Sequence, residues 1–250
     1  MNLCCSTWVY RQNTLEEAVR EITSAGVTAV EWAVPIHITT PGQVDAAKAA
    51  ADAHGLTCAS AAIYASEDAV LRNLETAAHL GAPYAILNNV AKTLADTAKI
   101  LLPIVERAGE LGVGIAFENH IHAIETIDQL EELLGLIPDA NFGLALAPHH
   151  LVACGQDTAE AVRRLGKRTF VLYLWDVRAT KAEGQAHYDW GHFPGTGDNN
   201  WPAIFAAAQK VGFDRVFDLM WLPSELPPTD EITRCLIAAR EYVQRLYGSS

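Results

Sequence analysis

Lysine and arginine are scarce and form no run: the 250 residues carry 18 of them against 30 aspartates and glutamates, a formal charge of −12. A field of that sign repels phosphate, which argues against nucleic acid and anionic membrane surfaces as partners. No apolar stretch approaches the roughly 18 residues needed to cross a bilayer, so no membrane partner is expected. The five cysteines are an odd number without Cys-x-x-Cys spacing. That speaks against a disulfide framework or a structural zinc, and Cys4 and Cys5 read as small buried hydrophobes. Residues Met1 to Trp8 lack the basic region and long apolar core of a secretory signal. No linker, low-complexity segment or second domain interrupts the chain. These absences lead to the expectation of one cytoplasmic domain over residues 1–250 that acts on a small molecule, with a homo-oligomer left open.

What is present is a core-rich composition, 50% apolar and 19% charged, organised as two alternating patterns. Short apolar runs over 3–9, 27–32, 56–62, 84–87, 113–118, 141–147, 169–174 and 216–220 read as strands buried on both faces. Each is followed by a helical pattern. The first opens at Asn13-Thr14 with Glu16 and Glu17 in capping style, and several end on a glycine, such as Gly26, Gly55 and Gly81. Pro103 falls inside the helix expected over 92–111, where it is able to kink it. Eight strand-then-helix units indicate an α/β protein, a single (β/α)8 barrel. An open doubly wound sheet is the weaker reading, because no Gly-x-Gly-x-x-Gly turn follows the first strand. A polar stretch of about 178–200 exceeds ordinary connections and reads as a long active-site loop over the barrel mouth.

A parallel barrel gathers the C-terminal tips of its strands on one face, where its chemistry sits. Those tips carry Glu31, Asn88, Glu118 with His120, His149 and His150, Tyr173 with Asp176, and Asp218 with Met220. Arg178, His187 and His192 can fold in from the long loop. Six of the nine histidines (His120, His122, His149, His150, His187 and His192) fall at tips or in that loop. Imidazoles in such a cluster suit proton transfer or metal ligation. Of the adjacent His149 and His150, alternation lets one face the pocket and leaves the other on a surface loop. Trp8, Tyr173, Trp175 and Trp221 supply apolar and stacking walls, which point to a substrate less hydrophilic than a simple sugar, or else to ordinary barrel packing.

Several segments, in this order, resemble the xylose isomerase-like barrel superfamily of sugar phosphate isomerases and epimerases. They are Ala25 to Glu31, Phe117-Glu118-Asn119-His120, Gly143 to Leu151, Tyr173 to Val177, Pro194 to Asp198 with Trp201, and Gly212-Phe213-Asp214. The resemblance covers nearly the whole chain. It implies a divalent metal held by a glutamate after strand five, an aspartate after strand six, a histidine on strand seven and a glutamate after strand eight. Glu118 matches the first. The other three positions read Ala147, Tyr173 and Met220. One hard carboxylate does not hold manganese or magnesium, so no metal and no other cofactor is expected. Two arrangements would restore a site: Glu118 with His120 and His149 or His150 around zinc, or Asp218 reaching in from a deeper layer.

Glu118, His120 and His150 are accordingly the expected catalytic acid and base groups. Trp8, Glu31, Asn88, His149, Tyr173, Trp175, Asp176, Arg178, His192, Asp218 and Met220 are expected to bind substrate. The family's epimerases use two facing carboxylates, and Met220 removes the second. The resemblance then implies isomerisation or epimerisation by proton transfer next to a carbonyl on a small polyhydroxylated or cyclic keto substrate. A lyase using the same groups, by dehydration or ring opening, is the alternative, and a catalytically inactive binding or partner subunit is the other.

Overall fold

The computed structural model describes residues 1–121, 123–182 and 185–248. Seven strands come first: β1 (Asn2–Ser6), β2 (Ala29–Ala33), β3 (Thr57–Ala62), β4 (Tyr84–Leu87), β5 (Gly114–Glu118), β6 (Phe142–Leu146) and β7 (Thr169–Leu174). A hairpin follows, β8 (Asp176–Ala182) and β9 (Gln185–His192), and then β10 (Val216–Leu219). Strands β1 to β7 and β10 close into one barrel in which β10 lies between β7 and β1. All eight neighbouring pairs are parallel. The fold is a single (β/α)8 barrel. No helix is long and apolar enough to cross a membrane among the described residues.

Local chemistry explains where the elements begin and end. Helix α1 (Leu15–Ser24) opens on a capping box: the Thr14 hydroxyl accepts from the Glu17 N–H, and the Glu17 carboxylate accepts from the Thr14 N–H at 2.9 Å. Helices α2 (Val34–His37), α3 (Pro41–His54) and α4 (Glu67–His79) follow, then α5 (Leu94–Leu111), which runs through Pro103. Gly112 ends α5 with φ at 72°, a left-handed conformation that costs glycine little. The remaining helices are α6 (Ile127–Leu136), α7 (Pro148–Ala153), α8 (Thr158–Leu165), α9 (Trp201–Val211) and α10 (Thr229–Gly248). Their apolar faces pack on the barrel in one continuous cluster, while a second cluster with Cys4, Ile86, Ala116, Ala145 and Phe170 fills the barrel interior.

Three sequence expectations need correction. The first strand stops at Ser6, because its hydroxyl accepts from the Trp8 N–H at 3.2 Å and turns the chain into a 3-10 helix over Thr7–Tyr10. Two short helices at strand tips, α2 and α7, have no periodic signal because they span only 4 and 6 residues. The stretch 178–200 is not one long loop: most of it is the β8–β9 ribbon, paired only with itself and in register from Asp176↔His192 to Ala182↔Gln185.

The ribbon leaves and rejoins the barrel at one carboxylate. Fully buried Asp176 accepts from the N–H groups of Val177, Gly195, Gly197 and Asn199, from Asn199 Nδ2 and from Trp201 Nε1, at 2.8–3.1 Å. A methyl group at Gly197 would lie 2.5 Å from Asp176 Oδ1, so only glycine fits there. The expectation that Asp176 binds substrate is therefore corrected, since both its oxygens are committed to the loop. Asp176→Ala strands several buried donors at once and should cost about 3–5 kcal/mol. Denaturant unfolding of that variant checks this, with Arg178→Ala, at an exposed side chain, expected to stay within about 0.5 kcal/mol of the parent.

Candidate active site

The strand tips open into a cavity of about 280 Å³. Its polar groups are Tyr64, Asn88, Glu118, His120 and His150, and its apolar walls are Trp8, Trp175, Met220 and Leu222. Glu118 ends β5 and is buried. Tyr64 lies two residues past the end of β3 and donates its hydroxyl to Glu118 Oε2 at 2.5 Å. Burial pushes the Glu118 carboxyl up to about 8; the Tyr64 hydrogen bond opposes that rise and the charge of Glu31 adds to it. Asn119 points away and clamps the neighbouring tip, donating to the Ala147 carbonyl at 3.1 Å and accepting from the Ala147 N–H at 2.7 Å. That clamp fixes the start of α7, which carries the two histidines.

His149 and His150 are both buried, so neither is a surface loop residue. A helical turn replaces the alternation expected of a strand, and their rings lie 4.1 Å apart between centroids. His149 sits against Trp175 at 3.9 Å, and His150 against His120 at 4.0 Å. Among the described residues, both nitrogens of His149 and Nδ1 of His150 have no hydrogen-bond partner. Burial, reinforced by the charge of His120, pushes His150 down to about 3, and burial pushes His149 well down, so both rings are neutral near pH 7. His120 bonds the Ile121 carbonyl through Nδ1 at 2.8 Å, so that nitrogen carries a ring hydrogen and Nε2 is the other ring nitrogen.

Other expected residues lie elsewhere. Glu31 and Asp218 are fully buried inside the barrel and do not line the cavity. They point inward as strand alternation requires, but one level below the tips. Tyr173 is also fully buried, its hydroxyl 3.2 Å from the Tyr64 hydroxyl and donating to Glu31 Oε2 at 3.2 Å. Arg178 binds the Thr196 carbonyl and His192 bonds Thr196 and Asp189, all within the ribbon and the loop after it. His122 and the side chain of His187 lie outside the described residues. Tyr64 went unnoticed in the sequence; an aromatic hydroxyl just beyond the third strand was the available signal. Trp190 of β9, whose carbonyl accepts from Trp175 Nε1 at 2.7 Å, covers the two histidines from the ribbon side.

The family's hard-metal donor set does not fit, because Ala147, Tyr173 and Met220 offer no carboxylate or imidazole. A different set does exist. Glu118, His149 and His150 present donor atoms within 4.8 Å of one another. One carboxylate and two imidazoles with free nitrogens suit zinc by donor type and do not suit magnesium or manganese.

A profile of the family described as xylose isomerase-like TIM barrel matches residues 19–237. No curated protein sequence matches the chain. Among solved structures, a D-psicose 3-epimerase in the presence of D-fructose superposes with a TM-score of 0.82 at 13% identity, over 99% of this chain and all of that one, 100%. D-Psicose 3-epimerase with D-tagatose from Clostridium cellulolyticum H10 gives 0.80 at 13% identity over 99% of each chain. An IOLI protein with a bound zinc atom gives 0.81 at 18% identity, over 98% of this chain and 99% of that one. At these identities the likeness is one of fold.

The opposed shifts at the site set a pH window for stability. Glu118 holds its proton more tightly folded than unfolded, so its contribution is complete below about 4.5 and is lost as the pH rises through about 8. His150 is depressed, so its contribution is present above about 6.5 and is lost as the pH falls toward about 3. Thermal unfolding from pH 5 to 8 should show Glu118→Gln gaining on the parent by up to about 1.4 kcal/mol per pH unit. Parallel curves for the two proteins would refute the burial argument.

Proposed function

The chain belongs to the xylose isomerase-like TIM barrel family, and on that premise we propose that it is an isomerase or epimerase-like enzyme. It moves a proton next to a carbonyl on a small polyhydroxylated or cyclic keto substrate, and it does so without the family's divalent metal. The observation that carries this reading is the buried Glu118 carboxyl at the cavity floor, raised to about 8 and bonded by Tyr64. A base of that strength is matched to removing a carbon-bound proton near neutral pH. The structural neighbours that are ketose epimerases support the reaction class.

In this reading the Glu118 carboxylate takes a proton from the carbon beside the carbonyl and an enediol forms. The neutral His150 ring hydrogen-bonds the carbonyl oxygen, and His120 Nε2 takes the proton of the neighbouring hydroxyl and delivers it to the former carbonyl oxygen as the double bond shifts, so that His120 ends as it began. Glu118 then returns its proton to the neighbouring carbon. With Met220 in place of a second carboxylate, the same group takes and returns the proton on one face. That favours isomerisation over inversion at a single carbon. Trp8, Trp175, Met220 and Leu222 exclude water from the enediol. Their apolar character supports a second reading, a lyase in which Glu118 returns its proton to a departing hydroxyl.

Incubating the protein in D₂O with a panel of small ketoses, aldoses and cyclic ketones tests this through deuterium uptake beside the carbonyl. Exchange should rise about tenfold per pH unit below about 8, as the Glu118 carboxylate forms, and Glu118→Gln should lose about 10²–10⁴-fold. No exchange on any member, or full exchange by Glu118→Gln, would show the reading to be wrong. Exchange should also survive chelator treatment. Stoichiometric zinc retained through dialysis would overturn the metal-independent part and point to Glu118, His149 and His150 as its holders.

A further inference from the structure

Two carboxyl groups remain inside the barrel that the proposed chemistry does not use. Glu31 projects from β2 beside Ser6 and Ser60, and Asp218 from β10 between Cys4 and Tyr173 in register. Both are fully buried and within hydrogen-bonding reach of each other, and among the described residues no lysine or arginine is buried. Ser60 and Tyr173 donate to Glu31 Oε2, at 3.5 and 3.2 Å. Among the described residues, Glu31 Oε1 and both oxygens of Asp218 have no close hydrogen-bond partner, and the Ser6 N–H and the Cys4 thiol offset the burial of Asp218 only in part. Two bare carboxylates at such a place would carry uncompensated charge and unpaired acceptors together. A carboxyl proton between them removes both penalties.

We propose that Glu31 and Asp218 hold a shared proton inside the barrel, and that Tyr173 and Tyr64 connect this store to Glu118. The hydroxyl chain is continuous: Glu31 Oε2 to Tyr173 at 3.2 Å, Tyr173 to Tyr64 at 3.2 Å, Tyr64 to Glu118 Oε2 at 2.5 Å. When Glu118 is left as a carboxylate, the Tyr64 proton passes to it. The Tyr173 O–H, which donates to Glu31 at rest, turns to Tyr64 and gives up its proton there, and Tyr173 takes one from the carboxyl pair. One proton moves inward to outward and one negative charge moves from Glu118 to Glu31, so the balance closes without a co-reactant. Afterwards Tyr173 donates to the Glu31 carboxylate.

Burial, and then the charge of Glu31, pushes Asp218 well up; burial pushes Glu31 up as well, while bonds from Asp218, Ser6, Tyr173 and Ser60 pull it down. The other titratable neighbours are Cys4 and Cys5 on β1, whose thiols burial holds well above their usual range and therefore neutral.

The link to Glu118 rests on its proposed role in proton exchange, but the store itself does not, and infrared spectroscopy of the resting protein reads it without any substrate. At neutral pH the parent should show a protonated-carboxyl C=O stretch that shifts in D₂O. Asp218→Asn and Glu31→Gln should each lose part of it, and Glu118→Gln should retain part. Tyr173→Phe, close to isosteric, should keep the pair's band but change its frequency and move its alkaline midpoint upward, because the Glu31 carboxylate loses a donor. A parent without the band at neutral pH, or a band that neither Asp218→Asn nor Glu31→Gln reduces, overturns the store. A Tyr173→Phe band unchanged in frequency and midpoint overturns the link. If an amide variant fails to fold, the parent's band across pH and the Tyr173→Phe spectrum still decide. Failure of the proposed function would appear instead in the D₂O exchange assay.

Discussion

The interior of this barrel gathers carboxyl groups that no lysine or arginine of the described residues neutralises. Glu31, Glu118 and Asp218 are all buried there. Removing a carboxylate from water costs several kcal/mol unless a partner is supplied. In the proposed reading, hydroxyl groups and protons take the part that a divalent cation plays when several carboxylates converge. Tyr173 stands where the family resemblance led to expecting a histidine ligand, and Tyr64 caps Glu118 from across the mouth. Under that reading, Ala147, Tyr173 and Met220 together turn a charged site into a proton-bonded one.

Neutral histidines fit the same constraint. Burial drives His149 and His150 toward the uncharged form, and the wall of Trp175 and Trp190 keeps water from them. A carboxyl that favours its proton next to imidazoles that refuse theirs is the pattern in which environment separates acid from base. The cavity is small at about 280 Å³, at the lower edge of the usual range for ligand pockets, which fits a substrate of a few carbons or one ring.

Most of the architecture was legible in the chain because buried parallel strands read as apolar runs and glycines mark helix ends. Placement of Glu118, His120 and His150 around one cavity followed from the barrel rule that strand tips meet. Depth was not legible. Glu31, Tyr173 and Asp218 obey the same alternation as the mouth residues, and only the stagger of the strands decides which level each reaches. Asp176 was misread because a carboxylate at a strand tip looks alike whether it meets a ligand or six donors from its own loop. Tyr64 was missed because it follows its strand by two residues and carries no charge. The ribbon escaped notice because its composition is mostly polar, as in a loop, with Tyr188 and Trp190 as its large aromatic side chains.

That ribbon pairs with itself, is anchored through Asp176, and reaches the mouth through the Trp190 carbonyl that receives Trp175 Nε1. It is an awning fixed at one post above a floor that belongs to the barrel. Replacing residues along its underside would alter which molecules are admitted while Glu118 and its hydroxyl partners stay as they are. Selectivity and reactivity in this fold are therefore free to diverge separately, the first by redesign of one hairpin and the second only by disturbing the staves themselves.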